Sequence, residues 1–176
     1  MPAFTRRALR RLHRRLGIRA DYSARRHLPW QREATTLASI GPAADDGKMV
    51  HLSPRAAAAW KKMKAAAAAE NVSLLPLSGF RSVTRQTVII RSKLAAGESI
   101  ESILRLVAAP GCSEHHTGRA LDIGSPINLK LETSFARTRE YRWLKSHAQR
   151  FGFHLSYPKN NQHGIGYEPW HWCWRK

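Results

Sequence analysis

Two imidazoles and two carboxylates, set beside a glycine turn and a tryptophan, mark where this chain could do chemistry. The stretch Ser113-Glu114-His115-His116-Thr117-Gly118-Arg119-Ala120-Leu121-Asp122 supplies one part, and Glu168-Pro169-Trp170-His171, close to the C-terminus, supplies the other. Residues of these types build catalytic zinc sites, in which three protein ligands leave one position for water. Structural zinc sites favour four closed ligands rich in cysteine, so a His, Asp, His set with a free Glu nearby points to a zinc hydrolase.

Spacing decides how such a centre could form. On one helix His115 and Asp122 would lie roughly 10 Å apart along the axis, too far for both to reach a metal at about 2 Å. The segment must therefore fold back, and Gly118 is the residue that tolerates the turn. After it, Ala120-Leu121-Asp122-Ile123 alternates like a half-buried strand, with Leu121 and Ile123 on one face and Asp122 on the other. The third ligand must come from elsewhere. His171 is the best candidate, because Trp170, Trp172 and Trp174 alternate with His171 and Cys173 and would set the imidazole opposite a buried aromatic face. Glu168 breaks that alternation, so a kink at Pro169 is expected to swing its carboxylate towards the metal. An acid placed there could accept the proton of a metal-bound water. His116 is the rival to His115, since neighbouring side chains point in different directions in any regular backbone.

The elements that must position these groups read as follows. Residues 5 to 16 carry Leu9, Leu12 and Leu16 at helical spacing among arginines, with Gly17 placed as the stop. This basic amphipathic helix either docks its leucines on the domain or meets a membrane surface or anionic polymer. Residues 17 to 52 are expected to wrap the core as a partly ordered segment. Ser53-Pro54 opens an alanine-rich helix to about Glu70, and Val72 to Leu77 reads as a strand delivering Ser78-Gly79-Phe80-Arg81. A helix follows from about Val83 to Ala96, then another from Ser99 to Ala108. Beyond the Ala120 strand come a helix from about Ser134 to Arg150, a strand from Phe153 to Tyr157, and a last strand carrying Glu168 and His171. Helices grouped between several short strands suggest α+β with a small central antiparallel sheet. Residues 1–52 form the basic helix and wrapping segment and 53–176 the chemical domain, in one compact unit.

The pattern Ser113-x-His115-x-x-Gly118-x-Ala120-x-Asp122, followed by Glu168-x-Trp170-His171, resembles the paired signature of VanY-type zinc D-alanyl-D-alanine carboxypeptidases. Ser78-Gly79-Phe80-Arg81-Ser82-x-x-x-Gln86 resembles an upstream block of the same family, and the similarity runs from about Leu52 to Trp174. The resemblance implies a LAS-type zinc peptidase fold and Zn2+ as cofactor. It implies His115, Asp122 and His171 as metal ligands and chooses His115 over His116. It further implies Glu168 as general base and Arg81 as the group that binds a substrate carboxylate or the developing oxyanion. Gln86 and Ser113 would line the substrate cleft. Two departures stand out: Phe80 where tyrosine is usual, and His147 where asparagine is common. The implied reaction is removal of the terminal D-alanine of peptidoglycan stem peptides, D,D or L,D, by Glu-assisted attack of water. Two alternatives stand beside it: an L-alanyl-D-glutamate endopeptidase of the phage-lysin kind, and a non-catalytic basic polyanion-binding protein on the same fold.

Composition bounds the rest. With 176 residues, one domain with a sizeable core is the natural count. Thirty Lys and Arg against twelve Asp and Glu give a formal charge of +18, which calls for an anionic setting such as wall polymer or a membrane surface. Nucleic acid is the less expected partner, and a monomer is expected. Two cysteines, Cys112 and Cys173, rule out a disulfide scaffold and read as buried thiols, with a bridge or a Cys/His metal site as alternatives. No apolar run could span a membrane, and the arginine-rich start lacks the apolar core of a secretory signal. A cytoplasmic protein, or one exported to the wall by a non-standard route, is expected. Among the remaining histidines, His13, His27 and His51 are expected at the surface, and His163 in a plain loop, with a place at the cleft mouth as the lesser alternative.

Overall fold

The computed structural model describes residues 4–175. Helix α1 (Arg6–Arg15) starts where the Thr5 hydroxyl accepts from the Ala8 N–H at 3.2 Å. It is followed by the short α2 (Tyr22–Arg25) and the antiparallel hairpin of β1 (Ala38–Pro42) and β2 (Met49–Leu52). The hairpin replaces the partly ordered wrap expected there: Val50 and Leu52 alternate into the core, and Gly41, at φ +105°, sits where the register shifts. Helix α3 (Pro54–Ala69) has proline in its first turn and buries Ala56, Trp60, Met63 and Ala67 along one face.

Strand β3 (Leu75–Ser78) begins later than its sequence suggests, and α4 (Val83–Ala95) is capped by the Ser82 hydroxyl. Helix α5 (Ile100–Ile103) is one turn long, not the longer helix expected to Ala108. A tertiary bond competes with its continuation, because the Arg105 carbonyl accepts from the Gly166 N–H at 2.6 Å. After β4 (Ala120–Gly124), the single helix expected over 134–150 is three pieces. Thr138 is the break: its backbone is extended and its hydroxyl accepts from the Tyr141 N–H, starting α6 (Arg139–His147) afresh between two 3-10 turns. Strands β5 (Phe153–Leu155) and β6 (His171–Trp174) complete the chain; Glu168 lies before β6 and not within it.

The main sheet is antiparallel with strand order β3-β4-β6-β5. One face packs against α3 and α6 through Trp60, Met63, Leu121, Ile123, Leu144 and Trp172. A second apolar cluster joins Leu16, Tyr22 and Leu28 to Ile90, Ile103 and Tyr157. The N-terminal helix thus docks its leucine face: Leu9 and Leu16 are buried and Leu12 partly so. His13 lies on that face too, 3% exposed, against the expectation that it sits at the surface. Its Nε2–H donates to the Pro110 carbonyl at 2.7 Å, and its ring lies 5.1 Å from that of Trp30. His27 is exposed and His51 half-buried.

Candidate functional site

Pairing across the sheet places the first groups. Ser78 on β3, Asp122 on β4 and His171 on β6 are cross-strand partners in one line. Their neighbours Leu121, Ile123 and Trp172 face the core, so Asp122 and His171 point the other way, into a cleft. His115 arrives from the 3-10 turn Glu114–Thr117, which ends at Gly118 with φ +65°. A Cβ there would meet the Ser53 nitrogen at 2.8 Å, so glycine is required both by backbone conformation and by space. At Gly79 space alone requires glycine, since a Cβ would lie 2.4 Å from the His51 carbonyl oxygen.

His115 Nε2 lies 3.3 Å from Asp122 Oδ2, and His171 Nδ1 lies 3.1 Å from Asp122 Oδ1. One donor atom from each of the three buried residues lies within 4.8 Å of the others. The opposite ring nitrogens are engaged. His115 Nδ1–H donates to the Gly79 carbonyl at 2.6 Å, and His171 Nε2–H donates to Glu114 Oε2 at 3.0 Å. In the neutral imidazole each hydrogen bond fixes the tautomer whose other nitrogen, free of a proton, faces Asp122, the arrangement in which imidazoles can ligate a metal.

The charge balance favours a cation. Three carboxylates, Asp122, Glu114 and Glu168, surround the imidazoles, with Arg81 3.7 Å from Asp122. Burial opposes a charge on His171, yet Asp122 and Glu114 outweigh it and push its pKa up to about 10. Burial likewise lowers His115 against the pull of Asp122. Asp122 is held far below the carboxylate range by the two imidazoles despite burial, and Glu114 is held at about 2 by His171. Glu168 behaves differently: burial pushes it up to about 8 against the opposing His171, 3.7 Å away. A proton on His171 therefore answers an acid excess that a divalent ion would answer as well, and the His, Asp, His donor set fits zinc.

The cleft holds about 420 Å³, and Arg81, Gln86, Ser113, His115, Asp122, Glu168 and His171 all line it. Arg81 is oriented by Gln86 Oε1 and by the Ser78 hydroxyl, each accepting at 3.1 Å, while the Gln86 amide donates to the Ala108 carbonyl. Glu168 sits on a turn, its N–H donating to the Tyr157 carbonyl and its own carbonyl accepting from His171 N–H. His116 turns away: its Nδ1–H donates to the Arg81 carbonyl and its Nε2 accepts from the Gly111 N–H, bracing the cleft wall. His163 is half-buried and bonds to the Arg26 carbonyl, and it does not line the cleft. Cys112 and Cys173 are both free and buried. A larger groove of about 720 Å³ between β1 and α3 has Lys61 and Lys64 as its charged groups and no candidate ligand or acid.

Two site residues have no role in the sequence reading. Glu114 stands inside the quoted motif, but only the 3-10 turn reveals that it aims at His171. Tyr157, expected merely to end a strand, lines the cleft with its ring 4.8 Å from that of His171.

Residues 49–176 match the VanY family profile, described as D-alanyl-D-alanine carboxypeptidase. The chain is 39% identical over 125 residues to YodJ of Bacillus subtilis, a match covering 69% of this chain and 45% of that protein. It thus spans under half the length of that relative. Among solved structures, the LdcB LD-carboxypeptidase superposes with a TM-score of 0.74 at 34% identity, covering 83% of this chain and 71% of that one. A point mutant of the vancomycin-resistance D,D-pentapeptidase VanY, in complex with Zn(II), superposes with a TM-score of 0.61 at 27% identity. That match covers 79% of this chain and 78% of the other. The small antiparallel sheet with flanking helices is the fold these structures share.

Proposed function

We propose, for a chain that belongs to the VanY family of D-alanyl-D-alanine carboxypeptidases, a zinc-dependent removal of the terminal D-alanine from peptidoglycan stem peptides. The observation that carries this reading is the convergence of His115, Asp122 and His171 at a cleft that also holds Arg81 and Glu168. His115 Nε2, Asp122 and His171 Nδ1 would hold the zinc. When bound, the metal lowers the pKa of a water from about 16 towards 7 and polarises a carbonyl.

The chain's own groups do the rest. The Arg81 guanidinium, pre-oriented by Ser78 and Gln86, takes the free carboxylate of the terminal residue or the developing oxyanion. Gln86 and Ser113 line the wall beside it. Glu168, whose carboxylate lies 3.7 Å from His171 Nδ1, receives the proton of the attacking water. As the C–N bond breaks, Glu168 returns that proton to the leaving amine, so the acid ends the cycle as it began.

Mass spectrometry of defined tetrapeptide and pentapeptide muropeptides after digestion tests the reading. Release of one alanine from the C-terminus is expected, and the substrate that yields it separates L,D from D,D cleavage. A cut between L-alanine and D-glutamate would replace the carboxypeptidase with an endopeptidase. Glu168→Gln is expected to retain stoichiometric zinc and lose at least about a hundredfold in kcat. Full turnover in that variant would remove Glu168 from the proton path.

A further inference from the structure

Helix α1 has two faces with different fates. At about 100° per residue, Arg6, Arg7, Arg10, Arg11, Arg14 and Arg15 fall within one half of its circumference, as two rows with steps of about 6 Å. All six are exposed, α1 contains no acid, and among the described residues none of the six makes an ion pair. The opposite half is consumed by the protein itself through Leu9, Leu12, His13 and Leu16. Interfacial helices bind bilayers by burying their apolar face in the lipid, and here that face is occupied. What is left is a ridge about 15 Å long carrying cations only.

The ridge is fixed to the working part of the molecule. His13 bonds to Pro110, and a Cβ at Gly111 would come within 2.7 Å of Leu9 Cδ1, so α1 is seated on the loop that leads into Ser113 and His115. A polymer held by the outer face is thereby held at the back of the cleft wall.

We propose that the outer face of α1 docks a linear phosphodiester polymer, engaged by its phosphates. The choice of a wall-type polymer over nucleic acid rests on the peptidoglycan reading above; the ridge itself does not. Successive phosphates along a flexible chain meet successive guanidiniums along each row.

The test is fluorescence anisotropy of the full chain with labelled poly(glycerol phosphate) across a salt series. With six phosphate contacts, the slope of log K against log salt is expected near −4. The variant carrying Arg7→Gln, Arg10→Gln, Arg11→Gln and Arg14→Gln keeps helix propensity, and its slope is expected to become shallower by about 3 units. Its hydrolysis of a soluble stem peptide should match that of the parent chain. Undiminished polymer binding by the variant would overturn the proposal. So would tighter binding of the parent chain to anionic phosphatidylglycerol vesicles, or to duplex DNA, at equal phosphate. A parent chain that binds the polymer but cleaves no stem peptide would sink the catalytic reading and leave the ridge standing; active protein indifferent to the polymer would do the reverse.

Discussion

Replacing Glu114 with alanine removes the acceptor that sets the tautomer of His171. Glu114 Oε2 takes the Nε2–H of His171 at 3.0 Å, so that in the neutral ring it is Nδ1, directed at Asp122, that is left free for a metal. His171 is only 3% exposed, so after the substitution its Nε2–H loses a charged partner in a place where water does not readily replace it. A buried donor left unsatisfied costs about 1–3 kcal/mol, and loss of a carboxylate behind a ligating histidine lowers metal affinity by roughly 10- to 100-fold. The two routes agree, since a tenfold change is about 1.4 kcal/mol.

The assay is zinc competition against a chromophoric chelator, with nitrogen-detected NMR of the His171 ring as a second readout. Glu114→Ala should bind zinc about 10- to 100-fold more weakly and show a mixture of Nδ1- and Nε2-protonated His171 in the zinc-loaded state. Glu114→Gln offers a carbonyl to the same N–H and should keep the tautomer while losing under tenfold in affinity. Zinc binding by Glu114→Ala within twofold of the parent, with far-ultraviolet circular dichroism unchanged, would refute the positioning role. Equal weakening by Gln and Ala would show that charge and not tautomer matters.

Further outcomes follow from the same geometry. Arg81→Lys keeps a charge but cannot bridge Ser78 and Gln86 together; KM for a stem peptide should rise about tenfold, and little change should be seen on a C-terminally amidated peptide. Equal effects on both would remove the carboxylate from its role. Gly118→Ala forces φ +65° on a residue with a Cβ and drives that carbon against Ser53 N; about 1–3 kcal/mol should be lost, read as a fall in Tm of roughly 2–12 °C, and an unchanged Tm would contradict the close approach. His13 carries a pH dependence, because burial lowers its pKa below 6.5 in the folded chain against the smaller effect of Pro110. Below pH 6.5 the unfolded chain binds that proton first, so its contribution is complete above 6.5 and fades as pH falls towards the lowered value. Replacement by glutamine should flatten the melting-temperature slope between pH 5 and 7 relative to the parent, and an identical slope would rule the histidine out.

His13 also shows where sequence reasoning divides. Composition sets it among arginines and suggests a surface residue, while helical period sets it four residues after Leu9 and three before Leu16, on the face that docks. Period is the better guide here because burial follows geometry, and neighbours in sequence do not share a helix face. The same period-based reasoning makes Asp122 and His171 legible: each stands between residues that want the core, so each must point out of it. Glu114 and Tyr157 are not legible in this way. The first depends on the pitch of a 3-10 turn and the second on the bend after β5, which the pairing of β5 with β6 brings beside His171. The shortness of α5 is equally hidden, since the bond that ends it comes from Gly166, more than sixty residues on.

Register is where the fold and the centre become one problem. Ser78, Asp122 and His171 lie on one line across three strands, and Leu121 pairs with Trp172 on the buried face beside them. A slip of β6 by one residue would turn His171 into the core and Trp172 into the cleft, because side chains alternate with a period of two. The free energy that opposes such a slip comes from residues with no chemistry at all, chiefly Trp172 and Ile123 against α3 and α6. Core packing on one side of the sheet is thus what holds the donor atoms together on the other, and the alternating run Trp170-His171-Trp172-Cys173-Trp174 encodes both faces in the same five residues.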